Sequence, residues 1–490
     1  MKHLKYILIL LTICMVCVLC EQSESIIEVT EEEGNTTEVV IPLIDSIKPS
    51  IQVDPEFRYY KNRSVESIVD EVVVNGYQIV HYFVTNENLI NADFIEALHK
   101  AGVEVWLMTL GNGTYSTTNY PSGWESWKMT LKNGSSGVSG FTFLSPFNPE
   151  FVAWKKQKLV ELVTRYPFDG IELAEAYLPA WGGVNGGNYG DIGPNAAKAF
   201  KDVYGLNIPD FKNPSASDYY TNVPATYSKW MKFRANGVNQ FLHEIYNGEG
   251  GIREKRPDIK VATWSLGVDA GENSIRILYE AQGLDIPAMI ELVKPDLHYV
   301  QTHWPDWLKD EQNLPPYYIR EYSAFLREVK EVDLDLPVGI QADIGSKKSM
   351  VKSKKWFEKF AEYSRKAGFS TFTAYEYHLG GYIYEEAPEV MKTTRVSDNC
   401  LQLSFNKRIR ITGDNWSGCF KFIQNQEEID AGIEKVEIDG NLIRIFMKNQ
   451  PEESYSVQID GVEDTPDLWL HSGFEANQLQ AGTLIRVNKK

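Results

Sequence analysis

Acidic side chains recur where short apolar stretches of this sequence end. Glu172 and Glu175 lie at the end of FDGIELAEAY, Asp343 follows LPVGIQA, and Glu376 follows STFTAY. Two carboxyl groups that face each other can cleave an acetal, because one protonates the leaving oxygen while the other attacks carbon or activates water. These four residues are therefore the candidate catalytic groups, provided that the fold brings them to one face.

Amide, imidazole, indole and phenol side chains surround the same positions. Amides and imidazoles can hydrogen-bond to sugar hydroxyls, and aromatic rings offer flat apolar faces to sugar C–H groups. We expect this set to bind substrate; it comprises Asn86, Trp181, Trp264, Gln301, His303, Trp304, Gln341 and Tyr375.

The elements that must position these groups alternate between short apolar strands and amphipathic helices. The strands are predicted at 50–54, 77–85, 103–110, 169–175, 260–268, 297–304, 336–345 and 370–377. Helix–strand alternation favours a parallel α/β sheet, and eight strands are the number that closes a (β/α)8 TIM barrel, whose active site lies at the carboxyl ends of the strands. An open doubly wound sheet is the alternative. We favour the barrel because no glycine-rich phosphate turn follows any of the strands.

The pattern of apolar and polar residues changes near residue 395. Residues 395–490 alternate apolar and polar side chains, with a hairpin-type turn at Asp439-Gly440, which predicts a small all-β sandwich after a barrel over 49–394. This stretch resembles the Ig-like modules of bacterial surface proteins. Cys400 and Cys419 both lie in it, and we expect a disulfide between them if the chain is exported; two buried thiols are the alternative.

The N-terminus resembles a secretory signal. Lys2 and Lys5 precede an apolar run that ends near residue 20, and residues 21–48 then read as an acidic flexible linker. The sequence thus predicts an exported protein, extracellular or at the cell surface. Cys20 is a candidate for lipid attachment and hence for a membrane or cell-wall tether, although Leu19 is bulkier than that motif prefers.

Net charge limits the choice of partners. The chain carries a formal charge of −18, which excludes nucleic acid as a natural partner because a phosphate backbone repels an acidic surface. No cofactor or metal is expected. The partner that the residues favour is an oligo- or polysaccharide substrate.

The segment FDGIELAEAY resembles the fourth-strand motif of the barrel-type glycoside-hydrolase superfamily. The resemblance implies an acid/base residue at the end of strand four, either Glu175 or Glu172, and a nucleophile at the end of strand seven, which is Asp343 here. Two positions depart from the pattern. Ala174 stands where an acid often sits, and the strand-seven residue is usually Glu, so Glu376 on strand eight is a rival.

Two other classes of function compete with a glycoside hydrolase. A metal-dependent hydrolase would need clustered ligands such as His81, His303 and Asp343, but the chain has only 8 His and no H-E-x-x-H motif. A catalytically inactive cell-surface protein that binds carbohydrate or mediates adhesion on the same scaffold is the second, and Ala174 favours it. The sequence leaves open which glycan is bound, whether cleavage is endo or exo, and whether it retains or inverts configuration.

Overall fold

Eight parallel strands close into a barrel in the computed structural model, which describes residues 48–179, 182–268, 271–344, 347–375, 384–413 and 416–489 and two short strands before them. Neighbours in sequence pair side by side, and the last strand pairs with the first. The predicted TIM barrel is therefore confirmed. Its strands are β1 Lys48–Val53, β2 Ile79–Phe83, β3 Glu104–Leu110, β4 Gly170–Ala174, β5 Lys260–Leu266, β6 Leu297–Gln301, β7 Val338–Asp343 and β8 Thr371–Tyr375.

Helices cover the outside of the barrel. Local sequence sets their starts: Asn148 caps the third helix by accepting the Phe151 N–H at 2.9 Å, and Pro149 occupies its first turn. The helices are α1 Val65–Val74, α2 Ala92–Lys100, α3 Pro149–Arg165, α4 Pro194–Tyr204, α5 Pro224–Tyr246, α6 Ile252–Lys255, α7 Ser274–Gln282, α8 Ile286–Val293, α9 Trp304–Trp307, α10 Ser323–Val332 and α11 Lys354–Lys366.

The loop after β3 contains a small antiparallel sheet that the sequence did not predict. Its strands are Gly113–Thr114, Gly137–Val138 and Phe141–Phe143, which are too short to show an alternating pattern. The ring of Phe141 lies over Gly113, where a Cβ atom would approach it to 2.1 Å. Glycine at this position therefore lets the sheet fold back over the barrel mouth.

Large aromatic rings fill the barrel interior below the strand ends. Trp106 lies over Gly170 and Tyr299 lies over Gly339, and a Cβ atom at either glycine would sit within 2.4 Å of the facing ring. The two glycines share the inward-facing register of their strands with Glu172 and Gln341. Glu172 and Gln341 therefore point into the barrel from strands four and seven.

The C-terminal region is all-β, as predicted. Its strands are β9 Val390–Ser397, β10 Cys400–Phe405, β11 Ile409–Ile411, β12 Phe420–Gln424, β13 Glu427–Ile429, β14 Ile433–Asp439, β15 Leu442–Met447, β16 Tyr455–Ile459, β17 Val462–Asp464 and β18 Thr483–Val487. Two four-stranded antiparallel sheets enclose an apolar core that is separate from that of the barrel. We call residues 390–487 the β module. Strand β9 crosses the boundary expected at 394/395, because it pairs with β10 along its length.

The expected disulfide in this module is not formed. Cys400 begins β10 in one sheet, whereas Cys419 precedes β12 in the other sheet and packs near Gly461. The two sulfur atoms are held by different layers of the module, so both remain cysteine thiols. Burial raises the pKa of each thiol above its usual value.

A buried ionic network joins the β module to the first helix of the barrel. Arg63 Nη1 lies 2.6 Å from Glu71 Oε2, and neither side chain is exposed to solvent. Tyr59 donates its hydroxyl to the other oxygen of Glu71 and accepts the backbone N–H of Arg408, each at 2.7 Å. Arg63 also donates to Asn441 Oδ1 at 3.0 Å. Because the network contains residues from both regions, the β module packs directly against the barrel.

Strands also occur in the segment predicted as a flexible linker. Ser25–Ile27 and Val39–Ile41 pair as antiparallel strands, in keeping with the preference of β-branched residues for extended backbone. The predicted signal at 1–20, including Cys20, lies outside the described residues. In the part of the chain that the structure describes, no helix has the length and apolar character that crossing a bilayer requires.

We expect Glu71→Gln to destabilise the protein by about 3–5 kcal/mol, because it leaves the Arg63 guanidinium buried without its counter-charge. The measurement is the urea unfolding midpoint of the full chain. Glu96→Gln serves as a control, since Glu96 pairs with Lys100 on the surface with both side chains more than half exposed, and no measurable change is expected. An unchanged midpoint for Glu71→Gln would contradict the importance given to the network.

Candidate active site

The carboxyl ends of the barrel strands surround a cleft with a cavity volume of about 460 Å³. This size lies within the usual range for small-molecule sites, and the position is where TIM barrels place their active sites. Of the predicted site residues, the cleft brings together Glu175, Trp264, Gln301, Trp304 and Gln341.

Glu175 supplies the carboxyl group that the described residues bring to the cleft from β4. Strict alternation along the strand would direct residue 175 toward the helix layer, since Glu172 and Ala174 face inward. The backbone of Glu175 instead adopts a left-handed conformation with φ of 56°. Such a conformation is strained for a residue other than glycine, and strain of this kind concentrates at functional sites. The turn places Glu175 on the cleft wall.

Neighbouring backbone contacts hold Glu175 in this conformation. The Gly111 N–H donates to Ala174 O at 2.6 Å. Asn112 then holds Tyr177 from both sides: its Nδ2 donates to Tyr177 O at 2.8 Å, and its Oδ1 accepts the Tyr177 N–H at 3.0 Å. A Cβ atom at residue 111 would come within 2.8 Å of the Ala176 Cβ, so glycine is needed for this close approach. Residues that flank Glu175 on both sides are thus fixed to the end of β3.

Glu172 occupies a different environment. It is 1% exposed, faces the barrel interior, and is not among the residues that line the cleft. Its Oε1 lies 3.0 Å from His81 Nδ1, at ion-pair distance but outside hydrogen-bond geometry. The other imidazole nitrogen of His81 lies 3.0 Å from the Tyr299 hydroxyl and 3.2 Å from Ser50 Oγ. Burial and the nearby Glu172 carboxylate raise the pKa of Tyr299. Glu172 therefore belongs to a polar network inside the barrel.

One half of the cleft floor is polar. Gln52, Trp264, Gln301 and Gln341 line it from β1, β5, β6 and β7, and each is at most 6% exposed. Among the described residues, both side-chain atoms of Gln52, the Oε1 atoms of Gln301 and Gln341 and the Trp264 Nε1 have no hydrogen-bond partner. Buried polar groups are normally paired, so such a group beside a cleft is available to a ligand. Gln52 was missed in the sequence, because its strand was recognised only by its apolar residues.

The other half of the floor is apolar. Phe83, Met108, Leu110 and Ala174 line it from β2, β3 and β4. Above them the rings of Tyr115, Phe141, Phe143 and Tyr177 form a continuous wall, with successive centroids 4.9, 4.9 and 6.3 Å apart. The short sheet after β3 supplies two of these four rings, Phe141 and Phe143, and none of the four was predicted to be functional.

Two predicted binding residues lie away from the cleft lining. The strands end at Phe83 and Gln301, earlier than expected, so the residues that follow enter loops. Asn86 accepts the Asn88 N–H at 3.0 Å within a turn. His303 lies at the N-cap position of α9, and its backbone N–H donates to the Tyr322 hydroxyl at 2.7 Å.

Of the remaining predicted site residues, one lines the cleft and four lie wholly or partly outside the described residues. Trp304 lines the cleft, with Lys347 Nζ 4.8 Å from its ring centroid. Trp181 and Glu376 lie outside the described residues, and the side chains of Asp343 and Tyr375 lie outside them as well. By register, Asp343 ends β7 two residues after Gln341, opposite Tyr375 on β8.

In the described part of the chain, no group of three or more His, Cys, Asp or Glu side chains is placed so that it could hold a metal ion. His81 lies inside the barrel and His303 lies at the start of α9, so the two imidazoles of the metal-dependent alternative belong to separate environments.

Several solved structures have folds similar to that of this chain. No protein-family model matches the chain, and no curated protein matches it in sequence. A β-amylase catalytic domain from Paenibacillus polymyxa aligns at 12% identity with a TM-score of 0.46, over 68% of this chain and 93% of the amylase. A β-galactosidase from Bacillus circulans sp. alkalophilus aligns at 14% identity with a TM-score of 0.47, over 67% of this chain and 50% of the galactosidase.

A maltogenic α-amylase from Thermotoga neapolitana aligns at 10% identity with a TM-score of 0.38, over 82% of this chain and 97% of the amylase. Glycoside hydrolases are thus among the solved structures to which this chain is similar. Because all three TM-scores are below 0.5, the fold assignment rests on the strand order and closure of the barrel itself.

We expect Asn112→Ala to loosen the segment around Glu175, because the Tyr177 N–H and C=O lose their buried partner. The free energy of unfolding should fall by about 1–3 kcal/mol. Hydrogen exchange should show faster exchange of the Tyr177 amide, with little change in β6. Asn133→Ala is the matched control, since it also removes two hydrogen bonds, to Asn188 and from the Ser135 N–H, but both are exposed. Unchanged protection of Tyr177 would show that Asn112 does not hold this segment.

Proposed function

We propose that this protein is an exported glycoside hydrolase that cleaves O-glycosidic bonds in the cleft at the carboxyl ends of its barrel strands. The observation that carries the proposal is the placement of Glu175. A backbone in the left-handed region brings its carboxyl group into a cleft that also offers unpartnered amides and aromatic rings. Amides for hydroxyls, and the indoles of Trp264 and Trp304 for C–H faces, are the complement of a sugar.

Glu175 is assigned as the acid/base residue. In its protonated form it gives its proton to the glycosidic oxygen as the bond from that oxygen to the anomeric carbon breaks. A second carboxylate either attacks the anomeric carbon or takes a proton from the water that does so. Asp343 is proposed for this role because it ends β7, across the barrel from β4, and Glu376 is its rival. The distance between the two carboxyl groups decides between retention and inversion.

Glu172 is assigned a supporting role rather than the acid/base role. Its carboxylate is inside the barrel, beside His81 and below the cleft floor.

Export remains part of the proposal on the strength of Lys2, Lys5 and the apolar run that follows them. Expression of the full chain with and without residues 1–20, followed by fractionation, tests it: the intact chain should leave the cytoplasm and the truncated chain should stay.

We expect Glu175→Gln to lower kcat/KM on unactivated glycosides by at least about 100-fold, the usual contribution of general acid catalysis. Glycosides with a dinitrophenyl leaving group should lose much less in the bond-breaking step, because that leaving group departs without a proton. The measurement is steady-state and burst kinetics over a panel of glycosides. Glu125→Gln, an exposed carboxylate in the loop after β3, is the control and should behave like the unaltered protein.

Two outcomes would contradict the assignment. Equal losses on activated and unactivated glycosides would remove Glu175 from the role of acid. Binding of glycans without turnover by the unaltered protein would favour the carbohydrate-binding alternative, in which the barrel has no hydrolytic activity.

A further inference from the structure

The cleft is divided into two chemically different halves. The polar half belongs to β5, β6, β7 and β1, where Gln301 and Gln341 are paired neighbours in the sheet. The apolar half belongs to the adjacent strands β2, β3 and β4, where Phe83 pairs with Met108 and Leu110 pairs with Ala174. The apolar half is contiguous around the barrel, and the strands of the polar half lie on the opposite side. A ligand that rests on this floor therefore meets polar side chains at one end and apolar side chains at the other.

Glu175 fixes which end of a substrate lies in which half. It follows Ala174 directly, so its carboxyl group stands at the edge of the apolar half. A general acid must reach the glycosidic oxygen, and the leaving group is attached to that oxygen. The sugar that is attacked then extends toward β6 and β7, which carry Gln301 and Gln341. The leaving group extends toward the apolar floor and the wall that includes Phe141 and Phe143.

We infer that the protein acts on glycosides whose leaving group is apolar and not a sugar, such as an alkyl or aryl alcohol. This inference rests on the proposed function and names the leaving-group side of the same site. The apolar floor would strip water from a sugar at that position without replacing the lost hydrogen bonds, which costs binding energy. An alkyl or aryl group loses no hydrogen bonds there and gains from burial.

The experiment compares methyl, butyl and octyl glycosides of glucose, galactose and mannose, in both anomeric configurations, with disaccharides of the same sugars. Alkyl leaving groups of different length have nearly the same leaving ability, so differences in kcat/KM report contact with the apolar half. We expect kcat/KM to rise about fourfold per methylene that becomes buried, which corresponds to about 0.8 kcal/mol. Disaccharides should be poorer substrates than the butyl glycoside.

Variants locate the contact. Phe143→Ala should reduce the dependence on chain length. Tyr115→Ala should do so for octyl but less for butyl, because Tyr115 is 65% exposed at the outer end of the wall and its loss does not threaten folding. Val203→Ala, which removes an equally exposed side chain from α4 far from the cleft, should leave the dependence unchanged.

The outcomes separate the two proposals. Hydrolysis that is independent of chain length, or faster on disaccharides, overturns the apolar leaving group and leaves the glycosidase assignment intact. No turnover of any glycoside in the panel overturns the proposed function and this inference together. A chain-length dependence that survives in both Phe143→Ala and Tyr115→Ala also overturns the inference, since the preference would then arise elsewhere.

Discussion

Closure of the eight parallel strands into a barrel determines where the side chains at their carboxyl ends point. A closed parallel sheet has no edge, and its side chains must alternate between the interior and the helix layer. Every inward-facing side chain near the carboxyl ends of the strands therefore points toward the same opening of the barrel. Gln52, Gln301 and Gln341 reach one floor from three different strands for this reason alone. The interior below them is closed by Trp106 and Tyr299, whose rings are accommodated by glycines on the neighbouring strands.

Much of this arrangement follows from the sequence, because alternation is visible in single strands. The eight strands were placed within a few residues. The sequence also shows that Gly170 shares a face with Glu172 and Gly339 with Gln341, whereas the structure is needed to show that this face points inward. Asn86 and His303 do not line the cleft, because β2 and β6 end at Phe83 and Gln301, before the residues at which the sequence pattern ends them. Hydrophobicity marks burial, whereas strand ends are set by hydrogen bonding, and the two diverge at loops.

The choice between Glu172 and Glu175 could not be made from the pattern. Alternation alone favours Glu172, because residues 170, 172 and 174 share one face. The left-handed backbone at Glu175 reverses that expectation, and it depends on Asn112, which is distant in sequence and had no recognised role. The aromatic wall was missed for a similar reason, since its strands of two or three residues are defined by contacts with the rest of the barrel.

The network between Arg63 and the β module bears on how the chain reaches its fold. Arg63 and its partner Asn441 are separated by 378 positions, and Ser50 bonds to the backbone of Phe372 across 322 positions. Contacts of such long range form only after most of the polypeptide has been synthesised, and they slow folding. The earliest βα unit to emerge from the ribosome is thus among the last to be completed. A nascent chain that stays incomplete for this long remains a substrate for chaperones, and for any translocation channel that requires an unfolded polypeptide.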